Sequence, residues 1–302
     1  MKIDKNKKYL VVGGDSLVGS HLYEYLLSEG FSVWRTTRKS GRHGQNWIQF
    51  DFTDPISYEN ADGYDQAFIV AAATNYERCE TDPMARRINV DLIPNAIERM
   101  MELGVFCSYI STNSVFGGNQ KWPDENAKHD AQIPYAQQKS ESEYRLRKLA
   151  TYKLMSDRFN IIRLTKIMHH STQPIPEWLS RLQSNQAITP FEDLTFSPMS
   201  AQYAAKAIAT VGLFAKPGNF HLSGAKNISY VDFAREVLKQ FGFYEGLLKP
   251  TTSIEKGITI AFNPKYSGIG MGATTNTTGV LPQTLTGVVA DLKLSFGQTH
   301  GL

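Results

Sequence analysis

Tyr135 and Lys139 stand four residues apart in Pro134-Tyr135-Ala136-Gln137-Gln138-Lys139. If that segment is helical, the spacing puts a phenol and an ammonium on one face. A phenol titrates near ~10 when unperturbed, and an adjacent cation favours the phenolate, which moves the group toward a value useful for proton transfer. Tyr135 can then protonate a carbonyl oxygen while hydride arrives at the carbon. Taken alone, the same spacing describes many ordinary amphipathic helix surfaces.

The start of the chain supplies a context. Tyr9 to Val12 is a short apolar run, Gly13-Gly14-Asp15-Ser16-Leu17-Val18-Gly19 is a glycine turn, and Ser20 onward has apolar residues at helical spacing. Strand, turn and helix in that order form a dinucleotide cradle. Backbone amides at the helix start face a pyrophosphate, Gly13 allows close approach, and Gly19 lets the helix pack on the strand. Gly13, Asp15, Ser16, Leu17, Val18 and Gly19 are therefore the candidate cofactor contacts; a tight turn that binds nothing is the alternative. The second strand, Ser32 to Thr37, leads to a region with no acid from Phe31 to Phe50 but with Arg35, Arg38, Lys39 and Arg42. An acid would hold the 2′-hydroxyl of NAD. A guanidinium from Arg38 instead suits a 2′-phosphate, so NADP(H) is preferred over NAD(H).

Composition narrows the class. The 302 residues carry a formal net charge of +3, with 41% hydrophobic and 20% charged residues. This argues against disorder and gives no support for a nucleic-acid partner. Cys79 and Cys107 lack metal or redox spacing, which fits a reducing compartment, and no metal site is expected. No apolar stretch is long enough for a membrane span and no signal-peptide core is visible. The expectation is a soluble cytoplasmic enzyme.

Strand and helix patterns alternate: Gln66–Ala71 strand, Pro83–Leu103 helix, Phe106–Ser111 strand, Tyr135–Tyr152 helix, Asn160–Leu164 strand. Such alternation predicts an α/β fold with a doubly wound parallel sheet, a Rossmann fold. After Met168 the prolines 174, 176, 190 and 198 break the rhythm, and it returns at the helix Ala201–Phe214 and the strand Gly218–Leu222. The expected organisation is a dinucleotide-binding domain over 1–168 with a return segment 200–224. A small substrate-binding cap is expected from 169–199 and 225–302.

With these residues in place the chain resembles an extended short-chain dehydrogenase/reductase, most nearly the dTDP-4-dehydrorhamnose reductase group of sugar-nucleotide enzymes. The resemblance runs from about Tyr9 to Phe243. It rests on the glycine turn, Ala71-Ala72-Ala73-Thr74, the stretch from Asp82-Pro83 to Asn89-Val90, Ile110-Ser111-Thr112-Asn113-Ser114-Val115-Phe116-Gly117-Gly118, Tyr135 with Lys139, and Phe220-His221-Leu222-Ser223-Gly224. It implies that Thr112 hydrogen-bonds the reacting oxygen, that Tyr135 is the acid, and that Lys139 also holds the nicotinamide ribose. Asn89 falls on a supporting position, Asp51 and Phe52 where the family meets adenine, and Ala71, Ala72 and Ala73 where backbone lines the cofactor. Thr74, Asn113 and Ser114 fall at the substrate side.

The chain departs from the family in two places. Ser16 replaces the middle glycine of G-x-x-G-x-x-G and adds a hydroxyl donor. Asn113-Ser114 follows Thr112 where reductases commonly carry Asp-Tyr; the Asp-Glu pair of dehydratases is also absent, which argues against water elimination. In the cap, His169, His170, Trp178, Arg181, Phe191 and Phe196 are candidates for contact with a nucleotide base or diphosphate. Three readings follow: NADPH-dependent reduction of a keto group on a nucleotide-linked sugar, epimerisation with a retained dinucleotide, or a non-catalytic NADP-binding regulatory subunit. A homodimer is the oligomer considered.

Overall fold

The computed structural model describes residues 4–39, 41, 44 and 46–300. The chain opens with β1 (Lys8–Val12), α1 (Leu17–Ser28), β2 (Ser32–Thr37), β3 (Trp47–Gln49) and β4 (Gln66–Ile69). It continues through α2 (Tyr76–Thr81), α3 (Pro83–Arg87), α4 (Ile93–Glu102), β5 (Phe106–Thr112), α5 (Pro134–Tyr152) and β6 (Phe159–Leu164). Together with β10 (Gly218–Leu222), reached after the segments described below, these strands form one seven-stranded sheet in the order β10-β6-β5-β4-β1-β2-β3. Every pairing in it is parallel.

The chain moves outward from β1 to β3 and then returns to β4 on the other side of β1. A crevice therefore opens at the carboxyl ends of β1 and β4, the switch point at which doubly wound sheets bind ligands. β4 and β6 are buried at every position, as strands covered on both faces must be. Side chains alternate between the faces. Leu10, Val12, Ile69 and Tyr109 pack with Ile93, Ile97 and Met100 of α4 and Leu146 of α5. Tyr9, Val11, Phe68 and Ile162 pack with Leu22 and Leu26 of α1 and with Ile208 and Val211.

The remaining segments are β7 (Lys166–Met168), α6 (Ile175–Gln183), β8 (Thr195–Phe196), β9 (Pro198–Ser200) and α7 (Ala201–Leu213), and after β10 come β11 (Ile228–Ser229), α8 (Tyr230–Phe241), α9 (Gly272–Thr278) and α10 (Leu285–His300). β7 pairs with β9, and β8 with β11. A third apolar cluster joins α6, α8 and α10 through Trp178, Leu179, Phe233, Val237, Val288 and Leu292. Among the described residues, no helix is long and apolar enough to cross a membrane.

The helix expected over Pro83–Leu103 is interrupted. Ile88–Leu92 forms a π-helical turn between α3 and α4. Pro94 has no amide to donate in the first turn of α4, and a wider turn just before it accommodates that loss. The fourth strand ends at Ile69 rather than Ala71, because the amides of both Val70 and Ala71 turn to Val12 O at 2.9 and 3.0 Å.

Candidate active site

The glycine turn closes against the end of β4. Gly13 has φ +100°, and a Cβ there would stand 2.7 Å from the amide nitrogen of Ala71, so only a bare backbone fits. Its amide donates to Thr36 Oγ1 at 3.0 Å. Gly19 serves packing: a Cβ on it would lie 2.2 Å from Gly13 O. Ser16 has φ −79°, within reach of any residue, and caps α1. Its hydroxyl accepts from Gly19 N at 3.0 Å and donates to Gly13 O at 2.8 Å. The serine thus replaces a glycine at no backbone cost and stabilises the helix start. Asp15 accepts from the Thr37 hydroxyl at 2.5 Å.

Above this turn lies a cavity of about 430 Å³. It runs from Gly13, Asp15 and Ser16 past Thr36, Thr37, Arg38 and Lys39 to Asp51 and Phe52, and along Ala71, Ala72, Ala73 and Thr74. Leu17 and Val18 begin α1 and, like Gly19, do not line it. Arg35 is also absent from the wall, since its guanidinium is sandwiched 4.1 Å from the Tyr23 and Trp47 rings. Arg42 lies outside the described residues. Asp51 is held by the amide and hydroxyl of Thr53, each at 2.8 Å.

Asn89 connects this cavity to α5. Buried in the π-helical turn, it accepts from Ala73 N and donates to Ala73 O, both at 2.9 Å, and also donates to Gln138 Oε1 at 2.9 Å. All its reach is spent on protein, so it positions the cavity wall rather than touching a ligand. Gln138 in turn donates to Cys79 O at 2.6 Å, which fastens α2 to the same helix.

Thr112 ends β5 and Tyr135 begins α5. The Thr112 hydroxyl lies beside the Tyr135 phenol. It also accepts from Ser114 N at 3.2 Å and sits 2.9 Å from Ser114 Oγ. Asn113 Nδ2 donates to Ser267 O at 2.7 Å and so binds the C-terminal tail to the end of β5. Burial, and then the neighbouring Tyr76, push the Tyr135 phenol above its ordinary value, with Thr112 opposing.

The helical spacing predicts that the Lys139 ammonium stands against the Tyr135 phenol and lowers its pKa. Instead Lys139 Nζ donates to Tyr109 Oη at 2.7 Å and Ile110 O at 2.8 Å, and lies 4.1 Å from the Tyr109 ring centre. A fully buried ammonium must find acceptors, and β5 supplies them. Burial pulls its pKa down to about 7.

Beneath these residues lies a buried ion pair. Arg163 Nη2 donates to Glu143 Oε2 at 2.7 Å and its Nε to Oε1 at 3.0 Å; Ser111 Oγ adds a bond to Oε1 at 2.6 Å and Arg147 Nη2 one to Oε2 at 2.8 Å. Burial pushes the Glu143 carboxyl up, but the Arg163 bonds and charge outweigh it and hold the group at about 2. The sequence reading missed Tyr76, Tyr109, Gln138 and Glu143. Glu143 left a signal, a carboxylate at helical spacing with Ala136, Lys139 and Leu146 on the buried face of α5.

Trp178 requires a second correction. It is only 4% exposed and packs 6.4 Å from Phe233 in the core beneath α6 and α8, because its place on α6 faces Leu179 and Leu182 inward with it. It is not a substrate contact. Phe196 is buried too and stacks on Tyr230 at 4.2 Å. Arg181 donates to Ala187 O at 2.7 Å. His169 and His170 cluster with His21, at ring separations of 4.0 and 5.0 Å. Among the described residues, no group of His, Cys, Asp and Glu is disposed to hold a metal ion.

Comparison with known proteins places this site in a family. The RmlD substrate binding domain matches residues 7–292. The spore coat polysaccharide biosynthesis protein SpsK of Bacillus subtilis (strain 168) is 26% identical over 253 residues, 81% of this chain and 83% of that protein. Among solved structures, the dTDP-4-dehydrorhamnose reductase of Bacillus anthracis str. Ames, in complex with NADP, superposes with a TM-score of 0.80 at 19% identity, covering 97% of this chain and 99% of that one. The dTDP-glucose 4,6-dehydratase DesIV of Streptomyces venezuelae, with NAD and TYD bound, gives 0.77 at 17% identity over 96% and 98%. The chain belongs to the RmlD substrate binding domain family.

Proposed function

We propose that this protein is an NADPH-dependent reductase of a keto group on a nucleotide-linked sugar. The observation that carries the reading is the Asn89 bridge, which fixes both the Ala73 wall of the cavity and the helix bearing Tyr135. One scaffold then carries the cavity wall and, on α5, a phenol beside a hydroxyl. The cradle suits NADP by its own chemistry: the bare Gly13 admits a pyrophosphate, and Arg38 and Lys39 bring two cations to the end of β2 where a 2′-phosphate belongs. The relative crystallised with NADP supports the same choice.

Bound there, the dinucleotide supplies hydride. Tyr135 gives its proton to the carbonyl oxygen, and its pKa, raised above 10 by burial, keeps it protonated until that transfer. Thr112 donates a hydrogen bond to the same oxygen. Lys139 stands one turn away with a pKa of about 7 and can release or take a proton at neutral pH. Thr74 lines the cavity toward the sugar side, while buried Ser114 braces Thr112 and Asn113 anchors the tail, and 169–199 with 225–302 form the substrate cap. One observation favours the non-catalytic alternative: Lys139 is turned onto Tyr109.

Calorimetry with NADPH and NADH tests the cofactor. Arg38→Ala should weaken NADPH by about 10- to 100-fold, the loss of one charge-assisted pair, and leave NADH nearly unchanged. Equal losses for both cofactors would contradict the 2′-phosphate role. A dinucleotide that survives purification would instead mark the epimerase.

A further inference from the structure

Tyr76 has an unusual placement. It is the first residue of α2, and Asn75 caps that helix by accepting from Arg78 N at 2.8 Å. The other end of α2 is fixed where Cys79 O accepts from Gln138. Tyr76 is thereby fastened to the scaffold that carries Tyr135, and the two rings stack with centres 5.4 Å apart at 29°. Even so, 45% of Tyr76 is exposed, and its ring belongs to none of the apolar clusters.

A second tyrosine lies nearby. Tyr230 opens α8, held by a capping box between Ser229 and Asp232, and its ring lies on buried Phe196 at 4.2 Å. The Tyr76 phenol is near enough to contribute to the upward shift of Tyr230, whose main cause is burial. Neither hydroxyl makes a hydrogen bond among the described residues. Burial raises both groups above 10, so each stays neutral and can both donate and accept. One ring thus lies on Tyr135 and a second stands near the first, each with a phenol that has no protein partner among the described residues. Both hydroxyls are open to an incoming ligand, Tyr76 being 45% exposed and the Tyr230 oxygen not among the buried unpaired atoms, and an anion site would call for cations. A sugar matches both features: its C–H face lies on an aromatic ring and its hydroxyls pair with neutral donor–acceptor groups.

We propose that Tyr76, with Tyr230 nearby, is a specificity-determining residue that grips the hexose ring of the nucleotide-linked sugar beside Tyr135. This rests on the reductase reading. The test uses the full chain with NADP bound and compares the dissociation constants of dTDP-glucose with dTDP and of UDP-glucuronic acid with UDP, alongside the KM and kcat for dTDP-4-dehydrorhamnose. Tyr76→Phe should weaken whichever sugar nucleotide binds by about three- to tenfold, the loss of one neutral hydrogen bond, and leave its nucleoside diphosphate and NADPH unchanged. KM should rise by a similar factor with kcat within about twofold. Tyr76→Ala should weaken the sugar nucleotide further and shrink the preference between sugars. Should both variants keep the wild-type ratio of sugar nucleotide to nucleoside diphosphate, the role of Tyr76 is overturned while the reductase reading stands. Should the wild type itself gain nothing from the sugar, both fall together.

Discussion

Glu143→Gln should destabilise the protein severely. The carboxylate is fully buried and accepts from Arg163 twice, from Ser111 and from Arg147. A glutamine keeps the shape but removes the charge and points an N–H₂ at donors. Arg163, 1% exposed, is then an uncompensated buried cation, and breaking such a pair costs ~3–5 kcal/mol. The proton affinity gives a second route to the magnitude. A carboxyl held at about 2 against an ordinary 4.5 is worth roughly 3 kcal/mol at neutral pH, at about 1.4 kcal/mol per tenfold change. The two agree. Because the folded value lies below the unfolded one, this contribution is complete above pH 4.5 and is lost as pH falls toward 2. Urea unfolding of wild type and variant at pH 7 and again at pH 3 measures both statements. The gap should be about 3 kcal/mol at pH 7 and shrink at pH 3. The double replacement Glu143→Met with Arg163→Met should recover much of the loss, since exchanging a buried pair is cheaper than breaking it. A gap below about 1 kcal/mol at pH 7, or one unchanged at pH 3, would refute the reasoning.

Lys139 should give a pH signature of the same sign in a higher window. Its folded pKa of about 7 lies below the unfolded 10.5, so the unfolded chain holds the extra proton between them and stability should rise by about 2 kcal/mol from pH 7 to pH 9. Lys139→Met should abolish that rise in urea titrations; an identical rise in the variant would clear Lys139 of the effect. Gly13→Ala forces φ +100° on a side chain that meets Ala71, so it should cost at least ~1–3 kcal/mol in thermal unfolding and more than tenfold in NADPH affinity. Native stability and affinity would contradict the close approach. Tyr135→Phe should still bind NADPH by calorimetry but lose ~10²- to 10⁴-fold in turnover; full turnover would remove Tyr135 from the chemistry.

Much of the scaffold is readable from local pattern. The bounds of β2 and β10 and nearly all of α5 follow from apolar periodicity and from Pro134 and Gly218 at element starts. The glycine turn announces a close approach because Gly13 is irreplaceable, and the structure supplies its neighbour, Ala71. Local pattern says less about partners chosen across the chain. Spacing puts Lys139 on the same face as Tyr135, but only the assembled sheet decides that Tyr109 and Ile110 receive its protons. Trp178 looks the same in sequence whether it faces a ligand or α8. β3 is three residues at a sheet edge, too short for a periodic signal. The Gly- and Thr-rich tail carries little pattern, yet Asn113 fastens it at Ser267 to the end of β5 through a bond spanning 154 residues.

The most direct test of the account is turnover. Protein first freed of co-purified dinucleotide, then given NADPH and a panel of nucleotide-linked keto sugars including dTDP-4-dehydrorhamnose, should show substrate-dependent loss of reduced nicotinamide and formation of the corresponding alcohol. Tight NADPH binding with no loss of reduced cofactor across the panel would contradict the reductase and leave a cofactor-binding protein that does no chemistry.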